Sequence, residues 1–366
     1  MAATSTKSKI MVALSGGVDS TVCAMLLRDA GHTVRCVYFV MSDAHTDGAA
    51  QAQSAADALG LELEIVDLRK IFKEAVIIPF CELYCSGVTP NPCINCNPNV
   101  KFKALIDAAD RHGFDRVATG HYARIEYRDA DFALGHTKKI KSDKGYYYLK
   151  KAACPERDQS YMLSGLQPEQ LARLILPLGD VTKHGVRELA EKSSLPSAHS
   201  PDSQEICFVD DNDYPAYINS LGYRGKEGSF IAPDGTNLGP HKGCEHYTVG
   251  QRRGLDVSYG TPVYVREIQD GGDIALGSSD ELFAKRISLS GTITTPYIFE
   301  PGSEFEVKVR SAARPVRCKI VEFTDTGFVT EFEEPQRAPT HGQAAVFYDG
   351  EYVAGVMTIT NGKFVR

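Results

Sequence analysis

The sequence predicts a doubly wound parallel α/β sheet, followed by a small β-rich middle module and a C-terminal β-barrel. Three observations carry that expectation. Up to about residue 200, short apolar runs alternate with amphipathic stretches, the pattern of βα units. The first run, Ile10 to Leu14, leads into Ser15-Gly-Gly-Val-Asp-Ser20 and then into the amphipathic stretch Thr21 to Ala30, in the order strand, glycine-rich loop, helix. After about residue 210, glycine and proline recur and short alternating segments replace the helical ones.

Further strands are expected over Val34 to Val40, Leu63 to Val66 and Arg116 to Thr119, with helices over 49–59, 69–85 and 98–111 between them. Gly31 and Gly60 stand where helix C-caps belong, and Thr182 is placed to cap a helix running to Ser193. A doubly wound sheet holds its ligand at the carboxyl ends of its strands, where the Ser15 to Ser20 loop lies. In the second half, Pro262 to Ile268, Phe305 to Val309, Arg317 to Val321 and Ala344 to Phe347 read as strands. The expected division is 1–210, 211–285 and 286–366.

Composition bounds the function. With 366 residues, two or three domains are expected. No apolar run approaches the roughly 18 to 20 residues of a membrane span, so no membrane partner is expected. Met1 to Lys9 is polar and lacks the apolar centre of a signal peptide, and a cytoplasmic location is expected. Ten cysteines in such a chain argue for reduced thiols with catalytic or metal roles rather than a disulfide framework. The formal net charge of -7 means that any nucleic acid must be held by local basic patches.

The glycine-rich loop is the densest chemical signal. Two glycines let the backbone turn its amides inward, and the following helix adds a positive dipole end, so an anion can sit there. The loop lacks the Gly-Lys-Ser/Thr ending of a Walker loop, and no Gly-x-Gly-x-x-Gly follows the strand. Without a lysine to reach an outer phosphate, it suits pyrophosphate leaving an alpha phosphate, which is nucleotidyl transfer. A plain turn capped by Asp19 or Ser20 is the competing reading.

The second signal is Thr89-Pro-Asn-Pro-Cys-Ile-Asn-Cys-Asn97. Its prolines and asparagines predict an irregular, rigid loop carrying Cys93 and Cys96 just before a helix that begins near Asn99. A thiol near a helix N-terminus is expected to have a lowered pKa. Cys207, in Pro201-Asp-Ser-Gln-Glu-Ile-Cys-Phe-Val209, is a third candidate that folding could bring to the same place. Cys23 and Cys36 read as core. Cys81 and Cys85 are one helical turn apart, which suits ligands, but a helix face packed on the sheet explains them equally and is preferred. Cys154, Cys244 and Cys318 have no partner pattern.

The glycine-rich loop resembles the PP-loop of ATP pyrophosphatases. Together with Thr119-Gly-His-Tyr-Ala123, Arg157-Asp-Gln-Ser-Tyr161, the Cys207 segment, Thr248-Val-Gly-Gln-Arg-Arg-Gly254 and His341-Gly-Gln-Ala-Ala-Val-Phe-Tyr348, the order of motifs is similar to that of tRNA-specific 2-thiouridylases. The resemblance spans nearly the whole chain. It implies an adenine nucleotide alpha hydrolase-like first domain that binds ATP, with Mg2+, through Ala13, Leu14, Ser15, Gly16, Gly17, Val18, Asp19 and Ser20. Gly120 would contact the nucleotide and the adenine side would lie near Phe39. The implied reaction is adenylation of the carbon 2 oxygen of a wobble uridine and its replacement by sulfur to give 2-thiouridine, with release of AMP and pyrophosphate. By the same resemblance a position matching Cys207 carries a persulfide, and one matching Cys96 is the nucleophile that helps release the sulfur.

At one place the pattern departs. Where many members carry Asp after Asn-Pro, this chain has Cys93, so that Cys93, Cys96 and Cys207 make a set of three thiols. Three thiolates on a 4Fe-4S cluster would leave one iron open to sulfide. A persulfide relay without metal, and a zinc or structural pair, stay open beside that cluster.

For the RNA, the resemblance maps Asn91, Pro92 and Cys93 to the target-base site, and His121, Arg157, Asp158, Gln159, Arg310 and Gln343 to tRNA contacts. Ser311 follows Arg310 where an aromatic is often found. The implied partners are tRNAs of Lys, Glu and Gln type and an upstream sulfur donor or cysteine desulfurase relay. Lys138, Lys139, Lys141, Lys144, Lys150 and Lys151 surround Tyr146 to Tyr148, which suits a phosphate backbone or a solvated hairpin of alternating tyrosines. In the C-terminal half, Arg252, Arg253, Lys308, Arg314, Arg317 and Lys319 add positive charge. Two other readings compete. One is a PP-loop enzyme of the lysidine synthase or amide ligase kind, which would not need the thiols. The other is a non-catalytic RNA-binding sulfur carrier, which would not need Asp19.

Overall fold

A computed structural model of the chain describes residues 7–46, 48–129, 144–200, 206–209 and 213–361. The first half is built on a five-stranded parallel sheet in the order Leu63–Asp67, Thr33–Val40, Lys9–Ala13, Arg116–Ala118, Leu174–Ile175. The central strand is buried on both faces. Ile10 and Val12 pack with Val22 of the helix Val18–Asp29 and Val186 of Lys183–Lys192, while Met11 packs with Leu105 of Phe102–Arg111 on the other side. That two-sided burial is why the strand reads as a continuous apolar run rather than an alternating one. The chain builds one side of the sheet outward from this strand and then returns to build the other side, so the loop that follows it lies at the switch point of the sheet.

A four-stranded sheet follows, in the order Tyr264–Ile268, Ile274–Gly277, Ser229–Ile231, Asn237–Pro240, around a core of Phe230, Tyr247, Val265 and Ile274. The last sheet has eight strands. Six of them, from Phe283–Ser290 to Tyr352–Asn361, close into a barrel through pairing of those two strands. Its core is aromatic, with Phe299 stacked on Phe305 at 4.4 Å between ring centres.

The remaining two strands were not expected in this sheet. Arg124–Arg128 and Tyr146–Lys150 form a hairpin that leaves the first half and joins the barrel beside Tyr352. Tyr148 is buried there, Lys150 pairs with Glu126 at 2.8 Å, and Lys151 reaches Glu306 at 3.4 Å. These two lysines and the tyrosines therefore belong to a packed hairpin whose charges are matched. Lys138, Lys139 and Lys141 lie outside the described residues. The core of the parallel sheet is continuous with Ala344, Val346, Tyr348 and Val353 of the barrel, and the buried Tyr161 donates to the Ala344 carbonyl at 2.9 Å. Among the described residues, no helix is long and apolar enough to cross a membrane.

Candidate active site

The loop after the central strand is held by its own side chains. Ser20 Oγ accepts from Ser15 N at 3.1 Å and meets Ser15 Oγ at 3.0 Å, while Thr21 Oγ1 donates to the Gly17 carbonyl at 2.9 Å. Gly16 has φ +82, and a Cβ there would stand 2.7 Å from the backbone of Gln51 and Ala52, so only glycine fits. Ser15 is exposed at the mouth of the loop. Ala13 ends the strand, and Leu14 is buried beneath with its N–H bonded to the Val37 carbonyl. Val18 opens the helix and points into the core.

Gly120 lies directly against this loop: a Cβ on it would come 2.7 Å from the carbonyl carbon of Asp19. Two side chains that sequence reasoning left without a role complete the arrangement. Lys183 Nζ stands 2.8 Å from both carboxylate oxygens of Asp19, and the Tyr122 hydroxyl donates to Asp19 Oδ1 at 2.7 Å. Lys183 is the first residue of its helix, and Thr182 caps that helix by accepting from Gly185 N, as its sequence position suggests. Phe39 lies near the carboxyl end of the neighbouring strand Thr33–Val40. It is 6% exposed and packs in the core, because strand residues alternate between faces.

The cysteine segment also differs from its expected form. Pro92–Cys96 is a turn of α-helix, not an irregular loop. Asn91 caps it by accepting from Ile94 N, and Pro92 sits at the first position, where a missing N–H costs nothing. Pro98 then falls inside the continuing helix, and Asn97–Lys101 widens into a π turn that accommodates it. Side chains pin this stretch from outside. Asn97 donates to the Met162 carbonyl and Gln170 to the Pro98 carbonyl, both at 2.7 Å.

Cys93, Cys96 and Cys207 line one cavity of about 20 Å3, together with Phe72, Val76 and Lys101. Phe208 brings Cys207 there. It is buried, and its ring meets Phe72 at 5.4 Å and Phe80 at 5.2 Å, edge to face. Cys207 itself remains exposed at the rim, although the surrounding protein still displaces enough water to push its thiol up. Burial likewise raises Cys93, and it carries Cys96 to about 11 against the opposing pull of Lys101. The lowered thiol pKa expected from the helix end is thus overturned by desolvation.

Among the described residues, no three His, Cys, Asp or Glu side chains are placed to hold one metal ion. Cys93, Cys96 and Cys207 on one cavity are the donor type that a 4Fe-4S cluster takes.

His121 follows Gly120 and lies between the two halves. Thr119 Oγ1 is 2.8 Å from its Nδ1, and its ring faces Phe102 at 6.0 Å. Burial, aided by Lys101, pushes its pKa down to about 3, so the imidazole is neutral at physiological pH.

Comparison with known proteins fits this arrangement. The family model described as the tRNA methyl transferase HUP domain matches residues 8–211. The tRNA methyl transferase PRC-barrel domain matches 219–273, and the aminomethyltransferase beta-barrel domain matches 279–359. The tRNA-specific 2-thiouridylase MnmA of Treponema denticola is 42% identical over 363 residues, covering 95% of this chain and 96% of its own length. Its counterpart in Syntrophomonas wolfei is 41% identical over 354 residues, covering 96% and 99%. The chain belongs to the tRNA-specific 2-thiouridylase family. Among solved structures, the U34-tRNA thiolase NcsA from Methanococcus maripaludis with its [4Fe-4S] cluster aligns at a TM-score of 0.34 and 20% identity, over 59% of this chain and 65% of that one. That likeness is too weak to carry an argument.

Several positions that match the 2-thiouridylase RNA contacts also have structural work. Asp158 accepts from Ala152 N, Ser160 N and Ser160 Oγ. Arg157 closes the short turn Pro155–Arg157. Gln159 Oε1 accepts from Tyr122 N at 2.8 Å, linking that turn to the strand end beside the loop. Half-buried Arg310 donates to the carbonyls of Val249 and Ala338, and burial lowers its pKa. It straps the middle module to the barrel, while the neighbouring Ser311 is exposed. Gln343 Nε2 donates to the carbonyls of Thr89 and Pro90, each at 3.1 Å, so the barrel holds the start of the cysteine segment. Cys244, read from sequence as partnerless, donates to the Cys85 carbonyl at 3.1 Å across the seam between middle module and catalytic domain. Cys81 is buried in the core, as preferred.

Proposed function

We propose that this chain is a cytoplasmic, ATP-dependent tRNA 2-thiouridylase. It adenylates the carbon 2 oxygen of a wobble uridine and replaces that oxygen with sulfur, releasing pyrophosphate and AMP. The observation that carries the reading is one connected arrangement. Lys183 pairs with Asp19 at the phosphate loop, Gly120 packs against that loop, and His121 beside it feels Lys101, which lines a cavity with three thiols. Matching family models are described by methyl transfer, but three thiols gathered on one cavity supply what sulfur transfer needs.

In this reading the loop amides from Ser15 to Ser20 bind the phosphates, and Asp19 is the carboxylate for Mg2+, which takes one or two carboxylates plus phosphate oxygens. Lys183, freed from Asp19, supplies the charge that a Walker lysine gives elsewhere. The uridine must leave its stack, and neutral His121 with Asn91 and Pro92 would receive it. Adenylation turns a poor leaving group into AMP.

Sulfur then comes by one of two routes. In the relay, the outer sulfur of a Cys207 persulfide bonds to carbon 2, and AMP leaves with the electron pair of the broken C–O bond. The Cys96 thiolate attacks the Cys207 sulfur, forming a Cys96–Cys207 disulfide that a cellular thiol reduces, and the thiocarbonyl is released. The third thiol favours the second route: Cys93, Cys96 and Cys207 would hold a 4Fe-4S cluster whose remaining iron offers a place for sulfide.

The test is tRNA thiolation in cells that lack their own 2-thiouridylase and carry this chain or its Asp19→Ala variant. The reading expects 2-thiouridine with the first and none with the second. Unchanged thiolation by Asp19→Ala would sink it. Retained activity after replacement of all three cysteines would favour an amine-attacking PP-loop enzyme instead.

A further inference from the structure

We infer that Lys101 is the fixed cation of the sulfur half-site, steadying negative charge on the sulfur that is transferred to carbon 2. The inference rests on the thiolation reading above. Lys101 is the one charged side chain among the described residues that line the three-thiol cavity, whose other walls include Phe72, Val76 and Phe208. In such apolar surroundings an unpaired thiolate or persulfide anion is costly, and a single cation at short range changes which charge states are reached. Both sulfur routes bring negative charge to this cavity, so both need a counter-charge there.

The backbone is built to place that ammonium. Lys101 closes the π turn Asn97–Lys101, and the turn is fixed by Asn97 on the Met162 carbonyl and by Gln170 on the Pro98 carbonyl. Widened turns of this kind recur at functional sites because they redirect one side chain without ending the helix. Lys101 also acts on His121, the residue that follows Gly120 at the phosphate loop. The ammonium therefore acts on both the thiols of the cavity and His121.

The test separates the two half-reactions. Purified full-length wild type, Lys101→Met and Lys101→Arg are given ATP and a tRNA transcript with an unmodified wobble uridine, and tRNA-dependent pyrophosphate release is measured. The same variants are scored for 2-thiouridine in cells lacking their own 2-thiouridylase. Lys101→Met is expected to lose thiolation about 100-fold and tRNA-dependent pyrophosphate release by far less. Lys101→Arg, which keeps the charge, should recover most of the loss. Wild-type thiolation by Lys101→Met overturns the inference, as does equal loss of both half-reactions in Lys101→Met. If Lys101→Met does not fold, Lys101→Gln, which keeps a polar stem without the charge, decides on the same split, since a merely structural stem would give no split between the two readouts. A wild-type chain that makes no 2-thiouridine points instead to failure of the underlying functional reading.

Discussion

The ammonium of Lys183 lies 2.8 Å from each carboxylate oxygen of Asp19, joining two residues 164 positions apart at the mouth of the phosphate loop. The loop that carries Asp19 has no lysine of its own, and the charge comes from the first turn of a later helix. Tyr122 shares the same carboxylate, so the pair is oriented as well as neutralised.

If that lysine serves the phosphates, Lys183→Met should reduce tRNA-dependent pyrophosphate release about 100-fold or more, as loss of a single preorganised charge does elsewhere. Thiolation should fall by the same factor, because the step before it is lost. Release at the wild-type rate would show that Lys183 serves only to fix Asp19.

Gln343 gives a second test, because its side chain spans from the barrel to the carbonyls of Thr89 and Pro90. Gln343→Ala removes two hydrogen bonds and should cost about 1–3 kcal/mol in a denaturant titration. Thiolation should suffer more than pyrophosphate release, since the tether positions the cysteine helix and not the phosphate loop. An unchanged midpoint and unchanged thiolation would show that the contact is dispensable.

His121 predicts a pH dependence. Its pKa of about 3 lies below the unfolded value near 6.5, so the unfolded state binds the extra proton between those two pH values. The stability this contributes is present above pH 6.5 and is lost as the pH falls toward 3, by at most about 1.4 kcal/mol per pH unit. His121→Asn should flatten that slope in urea melts taken from pH 7 to 4. Identical slopes would mean that another group carries the acid sensitivity.

The phosphate loop was legible in the sequence because its chemistry is local: strand, glycines and helix are contiguous from Lys9 to Asp29. The cysteine segment was misread as irregular because prolines weigh heavily in local reasoning. A proline at the first helical position and another inside a π turn are exceptions that depend on Asn91, Met162 and Gln170. Lys183 and Lys101 were missed for a different reason. Each is an ordinary lysine at helical spacing, and only the fold brings one to Asp19 and the other to the thiols. A lysine beside a helix cap at Thr182 was the available signal for the first, and the lysine five residues after Cys96 for the second. The barrel hairpin was hidden because its strands precede the rest of that sheet by more than 100 residues.

Cys93 decides between the two sulfur routes. A relay between Cys207 and Cys96 uses two thiols and gives the third no task, whereas a cluster held by three thiolates fails when any one is removed. All three line the same cavity, and Cys93 is half-buried there rather than turned to solvent. Anaerobically purified wild type should therefore contain iron and acid-labile sulfide, and Cys93→Ala should lose both together with thiolation, while pyrophosphate release persists. Cys93→Ala that thiolates normally, with equal iron in both proteins or none in either, would leave the persulfide relay as the carrier of sulfur.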